Sequence, residues 1–257
     1  MTLTDRVAVV SGSSSGIGAA IAQELSKRGA RVVINYPFEA EKQRAETVQS
    51  TLARSTESII VEADLSTTTG PTKLVEAAVA AFGTIDILVN NAGIVVPADM
   101  EDGDEERLLR AWDATVNLNG RGTLLLTHAV LQHLSKNNSR IINISSISTR
   151  DPEPFALIYG ATKGMVDSFT RTWARYLPRK YGCTVNAVAP GPIGTEALLT
   201  APLPLQDSVR ETYERTPIAP RMGTVSEVAW TVAMLCEEEA SWLNGQYIHV
   251  DGGLILF

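Results

Sequence analysis

The sequence predicts an α/β fold in which helices cover both faces of a doubly wound parallel sheet. Short runs of β-branched and apolar residues alternate with amphipathic segments along the 257 residues, as in repeated strand–helix–strand units. Most of the short runs are apolar at consecutive positions, which is typical of strands buried on both faces. We find no linker or repeat that divides the chain. We therefore expect a single domain over residues 1–257.

Seven runs have the length and composition of β-strands. Because a helical pattern or a turn separates consecutive runs, we expect them to lie parallel in one seven-stranded sheet. The predicted strands are Val7–Val10, Arg31–Asn35, Ser58–Glu62, Ile85–Asn90, Arg140–Ser145, Thr184–Ala189 and Tyr247–Val250.

Apolar residues at helical spacing fill most of the gaps between these strands. The predicted helices are Ile17–Arg28, Ala40–Ala53, Thr72–Phe82, Glu105–Leu134, Tyr159–Leu177 and Val225–Glu238. The segment Gly191–Arg221 is different, because it is rich in proline and threonine and lacks clear periodicity. A long irregular segment inside a compact domain is often a lid, so we expect this one to cover a substrate.

Composition and charge exclude several classes of protein. A formal net charge of −7 argues against general nucleic-acid binding, which requires a basic face. No apolar stretch approaches the roughly 20 residues that cross a bilayer, and the first strand begins too early to leave room for a signal peptide. Cys183 and Cys236 are too few for a disulfide framework, and no residue cluster has metal-ligand spacing. We expect a cytoplasmic protein without a catalytic metal.

A glycine-rich turn joins the first strand to the first helix. Gly12 allows a tight turn, Gly16 lets the backbone approach a pyrophosphate, and Gly18 permits close packing of helix and strand. The helix start adds N–H groups and the positive end of a dipole. The spacing differs by one residue from the usual dinucleotide fingerprint. We expect the phosphates to lie against Gly12, Ser13, Ser14, Ser15, Gly16, Ile17 and Gly18.

Two further strand ends indicate the same ligand. Asp64 and Leu65 follow the third strand, where a carboxylate could accept a hydrogen bond from an adenine amino group. Asn91, Ala92 and Gly93 follow the fourth strand, where small residues would let the backbone approach a ribose. Such residues also dominate ordinary turns. Both segments, however, lie at carboxyl ends of strands, where open α/β sheets bind ligands.

Tyr159 and Lys163 are the strongest indication of chemistry. Four residues apart on a predicted helix, they share one face. A phenol has an ordinary pKa of about 10, and a neighbouring ammonium favours the phenolate and lowers that pKa. The pair is therefore suited to exchange a proton with a substrate oxygen. Tyr176 and Lys180 repeat the spacing, but Pro178 between them would break the helix.

Together these motifs resemble the short-chain dehydrogenase/reductase family, whose fold is of the Rossmann type. The resemblance runs from about Arg6 to Gly253 and is strongest to the compact branch that includes ketoacyl reductases and fungal polyketide and naphthol reductases. The motifs that carry it, in order, are Gly12-x-x-x-Gly16-x-Gly18, Asn90-Asn-Ala-Gly93, Asn117, Ser146, Tyr159-x-x-x-Lys163, Pro190-Gly191, Gly245-Gln246 and Asp251-Gly-Gly253.

The resemblance implies a role for each catalytic residue. Tyr159 would be the general acid in carbonyl reduction or the base in alcohol oxidation, and Lys163 would lower its pKa and bind the nicotinamide ribose. Ser146 would hold the substrate oxygen, with the adjacent Ser145 as the alternative. Asn117 would lie at a helix irregularity and hold a water that relays protons to Lys163. Asn119 is the alternative, with a solvated helix position as its simpler interpretation.

The same resemblance extends to the end of the sixth strand. Pro190 and Gly191 would lie there, the backbone of Ile193 would contact the nicotinamide amide, and Thr195 would place its hydroxyl near that amide or the pyrophosphate. The lid would then present apolar surface, with Leu198, Leu199, Leu203 and Leu205. The loop between the serine and the tyrosine departs from relatives, because it carries Arg150, Asp151, Glu153 and Phe155 where small and apolar residues are common.

The end of the second strand bears on the choice of cofactor. NAD enzymes commonly carry an acidic residue there, whereas this chain has Asn35 and Tyr36, a pair found in NADP-using relatives. No arginine follows to bind a 2′-phosphate, although Ser13, Ser14 or Lys42 could contribute. Glu39 and Glu41 act in the opposite direction. We expect NADP in preference to NAD.

These observations predict an NAD(P)-dependent oxidoreductase that reduces a ketone with apolar bulk, cyclic or polyketide-like, or oxidises the corresponding alcohol. The alternatives are an oxidative alcohol dehydrogenase, an epimerase or dehydratase, and a nucleotide-binding protein without activity. The resemblance also implies a homo-oligomer, a tetramer or a dimer. It would pair the helices at Glu105–Leu134 and Tyr159–Leu177 and bury the apolar tail Leu254–Phe257.

Overall fold

The computed structural model describes residues 1–101, 103–201 and 203–256, in which seven parallel strands form one sheet. The predicted strands are confirmed, with ends shifted by at most two residues. The strand order is β3-β2-β1-β4-β5-β6-β7, and its reversal between β1 and β4 opens a crevice at the carboxyl ends. The bounds are β1 (Val7–Val10), β2 (Arg31–Tyr36), β3 (Ile59–Glu62), β4 (Ile87–Asn90), β5 (Ser139–Ile144), β6 (Cys183–Pro190) and β7 (Tyr247–Val250).

Helices connect these strands, and five of the six predicted ones are present with ends shifted by at most two residues. The α-helices of the described chain are α1 (Gly16–Lys27), α2 (Lys42–Thr51), α3 (Gly70–Phe82), α4 (Glu105–Thr115), α5 (Thr123–Leu131), α6 (Leu157–Tyr176), α7 (Pro178–Tyr181), α8 (Glu196–Leu199), α9 (Leu203–Glu214) and α10 (Val225–Cys236). Helix α6 ends before Pro178, so Tyr176 and Lys180 do not share a helix face, as predicted.

The helix predicted over Glu105–Leu134 is interrupted, as the resemblance implied for Asn117. A π-helical turn, Val116–Gly122, separates α4 from α5. A Cβ atom at Gly122 would lie 2.6 Å from the carbonyl oxygen of Leu65, and one at Gly120 would lie 2.6 Å from the methyl carbon of Met165. The two glycines therefore let the wide turn pack closely against its neighbours. Such turns often occur at functional sites.

Side chains on alternate strand positions pack against opposite helical layers, which is the arrangement expected of a doubly wound sheet. Ala8 and Val10 of β1 pack with α1, α2 and α10. Val9 between them packs with α3, α5 and α6 on the other face. Because both faces are covered by apolar side chains, the polar groups at the carboxyl ends of the strands are the ones left facing the crevice.

The segment Gly191–Arg221 was predicted to be irregular, and this was wrong in part. It contains α8 and α9. Prolines near the start of the segment make it look irregular. A proline can, however, be accommodated in the first turn of a helix without loss of a hydrogen bond, so these prolines do not exclude a helix. Helix α9 nevertheless lies where a lid was predicted, since Leu205, Val209 and Thr212 line a cleft beside Tyr159.

Three further features concern the chemistry of the described residues. None of their helices is long and apolar enough to cross a membrane. Within those same ranges, no group of three or more His, Cys, Asp or Glu side chains could hold a metal ion. Burial raises the pKa of Cys183 to about 11 and that of Cys236 to about 12, so both free thiols are unreactive.

Candidate active site

A cleft of about 470 Å³ opens at the carboxyl ends of β1, β2, β3 and β4. Most of the residues predicted to bind a cofactor lie along it, although they come from separate parts of the chain. Those that line it are Gly12, Ser14, Ser15, Gly16, Ile17, Gly18, Asn35, Asp64, Leu65, Asn91, Ala92, Gly93, Tyr159, Lys163 and Thr195.

The glycine turn fits a pyrophosphate. Gly12 and Gly16 have φ angles of +60° and +56°, in the left-handed region that favours glycine. A Cβ atom at Gly18 would lie 2.3 Å from the carbonyl oxygen of Gly12, so only glycine lets helix α1 start this close to the turn. No side chain caps the start of α1, and its first turn carries no acidic residue. The helix start is thus suited to bind an anionic group.

The side chains of Asn35 and Ser13 brace this turn, and of the two only Asn35 also lines the cleft. Asn35 Oδ1 accepts from Gly12 N at 2.9 Å, and its Nδ2 donates to Ala63 O at 3.0 Å. Ser13 is fully buried, donating to Val10 O at 2.6 Å and accepting from Asn35 N at 3.0 Å. Both side chains are thus bonded within the protein, and their contact with a cofactor stays a prediction.

Tyr36 was also predicted to lie at the cofactor, and the structure places it elsewhere. Its side chain is buried in the layer that contains α1 and α2. The residues that extend the cleft beyond β2 are Pro37, Phe38 and Glu41. Because side chains alternate along a strand, the residue after Tyr36 faces the cleft when Tyr36 itself faces the core.

Asn91 joins the end of β4 to the glycine turn. Its Nδ2 donates to Ser11 O at 2.8 Å and to Gly12 O at 3.0 Å, and its backbone N–H donates to Ser11 Oγ at 2.9 Å. This amide therefore fixes the turn and leaves the backbone of Ala92 and Gly93 at the cleft wall. Asp64 also lies at the wall, and one of its oxygens accepts from the backbone N–H of Ser66 at 2.9 Å and from its hydroxyl at 2.7 Å.

A second cleft, of about 290 Å³, adjoins the first and holds Ser146 and Tyr159. Pro190, Gly191 and Ile193 lie along this second cleft and not along the first, so their predicted contact with the cofactor stays a prediction. Leu198 and Leu205 line it too, whereas Leu199 and Leu203 are more than half exposed and do not. Five residues line both clefts: Ile17, Val95, Ile144, Tyr159 and Thr195.

The two neighbouring serines have different environments. Ser145 Oγ donates to the buried Asp167 Oδ1 at 2.6 Å, so this hydroxyl is held by α6. Ser146 Oγ instead lies near the Tyr159 hydroxyl, whose pKa it lowers, and donates to Ser148 Oγ at 3.0 Å. The hydroxyl of Tyr247 donates to the backbone oxygen of Ser146 at 2.6 Å and fixes its position. Of the two, Ser146 is therefore the one available beside Tyr159.

Burial raises the pKa of Tyr159 above its ordinary value, while the hydrogen bond with Ser146 acts in the opposite direction. This net direction is opposite to the one predicted from Lys163 alone. The Nζ atom of Lys163 lies 5.4 Å from the centroid of the Tyr159 ring and donates to Ile144 O at 2.7 Å. Desolvation of the phenol is thus the largest influence on its pKa.

Burial lowers the pKa of Lys163 to about 8, and Asp167 acts in the opposite direction. Between about pH 8 and the ordinary lysine pKa of 10.5, the unfolded chain binds more protons at this residue than the folded one does. The penalty for burying the ammonium is therefore full below pH 8 and disappears as the pH rises to 10.5. A shift of this size corresponds to roughly 3 kcal/mol.

Lys163→Met removes this titration. We expect the free energy of unfolding of the cofactor-free wild type to rise relative to the variant between pH 8 and 9.5, by about 2 kcal/mol. Urea unfolding of both proteins across this range measures the difference, and the comparison cancels the titration of other groups. A difference that stays constant with pH would contradict the lowered pKa.

Asn119, and not Asn117, lies beside Lys163. Asn119 is 1% exposed; its Oδ1 accepts from Ile94 N at 2.9 Å, and its Nδ2 donates to Ile94 O at 2.9 Å and Thr162 Oγ1 at 3.1 Å. A Cβ atom at Gly93 would lie 3.3 Å from Asn119 Oδ1 and 3.5 Å from Lys163 Nζ. Asn117 is in the π-helical turn, as predicted, but lines neither cleft. The solvated position given as the simpler interpretation of Asn119 was wrong, and the role implied for Asn117 fits Asn119 better.

Sequence reasoning missed several residues of the site. Tyr247 was assigned to a strand, and nothing local indicates that its hydroxyl reaches Ser146. Val95 and Thr212 line the second cleft without belonging to any motif. The sequence did contain a signal for Asn119. Val116-Asn-Leu-Asn119 has two asparagines, and Gly120 and Gly122, which fit the π-helical turn against its neighbours, follow Asn119.

Comparison with known proteins agrees with this architecture. The family model described as enoyl-(acyl carrier protein) reductase matches residues 12–255. The short-chain dehydrogenase/reductase FrzI of Cladobotryum sp. is 38% identical over 259 residues, covering 99% of this chain and 97% of that protein. Versicolorin reductase 1 of Dothistroma septosporum is 34% identical over 261 residues, with 98% and 96% covered.

Solved structures give the same result. A short-chain dehydrogenase from Burkholderia cenocepacia in complex with NADP superposes with a TM-score of 0.87 at 32% identity, and the match covers 99% of each chain. The fold, the order of the motifs and the full-length similarity to named reductases agree. The chain belongs to the short-chain dehydrogenase/reductase family of NAD(P)-dependent oxidoreductases.

Proposed function

We propose that this protein reduces a ketone with apolar bulk, using NADPH as the reductant and Tyr159 as the proton donor. We call the first cleft, of about 470 Å³, the cofactor cleft and the second, of about 290 Å³, the substrate cleft. The observation that carries the proposal is the position of Tyr159 in the wall that the two clefts share. A group at this junction can contact the nicotinamide end of a cofactor and a substrate carbonyl at the same time.

The residues at the junction have complementary roles in this proposal. Tyr159 donates its hydroxyl proton to the carbonyl oxygen, and Ser146 positions that oxygen by hydrogen bonding. Lys163 keeps a positive charge beside the Tyr159 ring and stabilises the phenolate left after proton transfer. The reduced nicotinamide, when bound, supplies the hydride. In the reverse direction the same groups would oxidise an alcohol.

Asn119 holds the cofactor wall at Ile94 and bonds to Thr162, the residue before Lys163. Asn119→Ala leaves the backbone groups of Ile94 without their partner, so we expect a loss of about 1–3 kcal/mol in the free energy of unfolding. We also expect kcat at saturating NADPH to fall about tenfold or more, because Gly93 and Lys163 lose their support. The matched control is Asn117→Ala, which should change both quantities little. Equal effects of the two variants would contradict the assignment of Asn119.

The choice of NADP rests on the NADP-bound relative and on the absence of an acidic residue at positions 35 and 36. Opposing it, the described lining beyond β2 offers Glu41 and no arginine, and Lys42 Nζ pairs with Glu39 at 3.2 Å. A tenfold preference amounts to only about 1.4 kcal/mol. Comparison of kcat/KM for NADPH and NADH tests the choice, and a clear NADH preference would contradict it.

Activity on a carbonyl panel separates this proposal from its alternatives. A reductase consumes one nicotinamide for each ketone, whereas an epimerase consumes none overall and a binding protein gives no product. We expect consumption of NADPH in equal amount to the alcohol formed from cyclic and polyketide-like ketones. An alcohol dehydrogenase working oxidatively would instead show its higher kcat/KM with the alcohol and the oxidised cofactor.

We further propose a homo-oligomer, either a dimer or a tetramer. Leu109 and Trp112 on α4 are 54% and 50% exposed and lie three residues apart on one helix face. Leu124 on α5 is 42% exposed, and Leu256 in the predicted apolar tail is 77% exposed, while Phe257 lies outside the described residues. Exposed apolar side chains on neighbouring helices are typical of interfaces.

If α4 lies in the subunit interface, positive charges placed on its exposed apolar face should weaken the oligomer. The double variant Leu109→Lys and Trp112→Lys should shift the mass measured by light scattering from that of the oligomer toward smaller species, because two ammonium groups would be buried without partners. Circular dichroism should stay that of a folded protein. A wild-type monomer at micromolar concentration would contradict the proposal.

A further inference from the structure

The substrate cleft carries an uncompensated negative charge. Apolar side chains form much of its wall, among them Val95, Phe155 and Leu205. Its described lining also includes the carboxylates of Asp151 and Glu153, but no lysine or arginine. A ligand in this cleft therefore meets an apolar surface, the hydroxyls of the reacting groups and two acidic groups.

The two carboxylates differ in their partners. Asp151 forms an ion pair with Arg215, with 3.5 Å between Oδ2 and Nη2. Glu153 has only hydroxyl partners among the described residues: Oε1 accepts from Thr212 at 3.0 Å and Oε2 from Ser208 at 3.3 Å. The nearby guanidinium of Arg150 lies over the Tyr247 ring, 5.1 Å from its centroid. Glu153 is thus half-buried without a cation.

A partly desolvated carboxylate of this kind favours a ligand that brings a positive charge. Its two oxygens together have about four acceptor positions, and the two hydroxyls occupy two of them. Two positions therefore remain for an N–H donor from a ligand. Pairing with a cation offsets the cost of withdrawing the carboxylate from water. An anionic ligand would instead add like-charge repulsion in the same cleft.

We propose that Glu153 makes the substrate cleft selective for a ketone that carries a protonated amine. The amine is held at Glu153 while the carbonyl lies at Ser146 and Tyr159. The inference rests on the proposed ketone reduction, which it narrows to a substrate class. It also excludes ketones bearing a carboxylate or a phosphate as good substrates, and thus acyl groups on a phosphate-containing carrier.

Three ketones of similar size test the selectivity: N-methyl-4-piperidone as the cation, 4-methylcyclohexanone as the neutral analogue and 4-oxocyclohexanecarboxylate as the anion. They are compared with NADPH at a pH where the amine is protonated. We expect kcat/KM to be about tenfold or more higher for the cation than for the neutral ketone. The anion should be the poorest of the three.

Glu153→Gln removes the charge and keeps a group that can accept from Thr212. In this variant we expect the ratio of kcat/KM for the cation to kcat/KM for the neutral ketone to fall to within about threefold of one. Thr212→Val removes one of the two hydroxyl contacts between Glu153 and α9 but leaves the charge, and should keep the preference. Glu214→Gln, an exposed carboxylate on α9, is the charge-matched control and should also keep it.

The outcomes separate this inference from the proposed function. A preference that survives Glu153→Gln, or equal losses for all three ketones in Glu153→Gln and Thr212→Val, would overturn the role of Glu153 in selectivity. Thermal shifts of the protein–NADPH complex with each ketone give a second measurement. One outcome is that the cation raises the melting temperature more than the other ketones do, only when Glu153 is present, and yet is not reduced. That result would support the selectivity of the cleft and contradict ketone reduction. Failure of all three ketones to bind or react would overturn the inference.

Discussion

Tyr159→Phe is expected to lower kcat/KM for ketone reduction by about 10²–10⁴-fold or more, the range assigned to general acid–base catalysis. The variant keeps the ring whose centroid lies 5.4 Å from Lys163 Nζ and removes only the hydroxyl. Because the ring remains, the affinity for NADPH and the free energy of unfolding should change little. Steady-state kinetics and NADPH fluorescence titration measure the two effects separately.

Tyr176→Phe is the matched control for this substitution. Tyr176 lies at the end of the same helix and is 68% exposed, so loss of its hydroxyl should leave kcat/KM unchanged. Undiminished turnover in Tyr159→Phe, or equal losses in both variants, would remove Tyr159 from the reaction.

Gly18→Ala is expected to have the second-largest effect, on cofactor affinity and stability. The new Cβ atom would lie 2.3 Å from Gly12 O and 2.5 Å from Asn91 Nδ2, so the turn and helix α1 must move apart. Overpacking of this kind costs about 1–3 kcal/mol in the free energy of unfolding. We expect NADPH affinity to fall about tenfold or more, because the displaced turn also carries the phosphate-facing backbone.

Gly164→Ala is the control, since Gly164 is also a helical glycine but has no heavy atom within 4 Å of the added Cβ. Replacing an open helical glycine should stabilise the helix by up to about 1 kcal/mol. NADPH affinity of Gly18→Ala equal to that of the wild type would show that the turn does not bind the phosphates.

The parts of the fold that depend on local pattern could be predicted from the sequence. Consecutive apolar residues mark strands buried on both faces, so the fully buried β1 has the predicted bounds. The spacing of Tyr159 and Lys163 on one helix fixes their relation without any knowledge of the rest of the chain. The strand–glycine–helix order similarly places Gly12 and Gly18 at the start of α1.

The parts that depend on distant partners could not be predicted in this way. Asn35 is at the predicted strand end, but its amide is taken by Gly12 and Ala63, which lie 23 and 28 residues away. Tyr36, the next residue, faces the core because side chains alternate between the two faces along a strand. A strand-end motif therefore identifies the place of a cofactor more reliably than it identifies the side chains that bind it.

Asn117 and Asn119 show a second limit of prediction from sequence. Both follow the same local pattern, and a regular helix would leave the choice between them open. The wide π-helical turn decides it, and that turn depends on Gly120 and Gly122 fitting against Met165 and Leu65. Those contacts come from other elements, so the periodicity of the helix alone cannot reveal them.

Transfer of deuterium from NADPH labelled on the nicotinamide ring is the most direct test of the central claim. The purified protein is incubated with the labelled cofactor and a cyclic ketone that it converts, and the alcohol is analysed by mass spectrometry. The account predicts one deuterium atom on the carbinol carbon and one oxidised nicotinamide per alcohol, with both lost in Tyr159→Phe. Product without deuterium, or label transfer that persists undiminished in Tyr159→Phe, would contradict it.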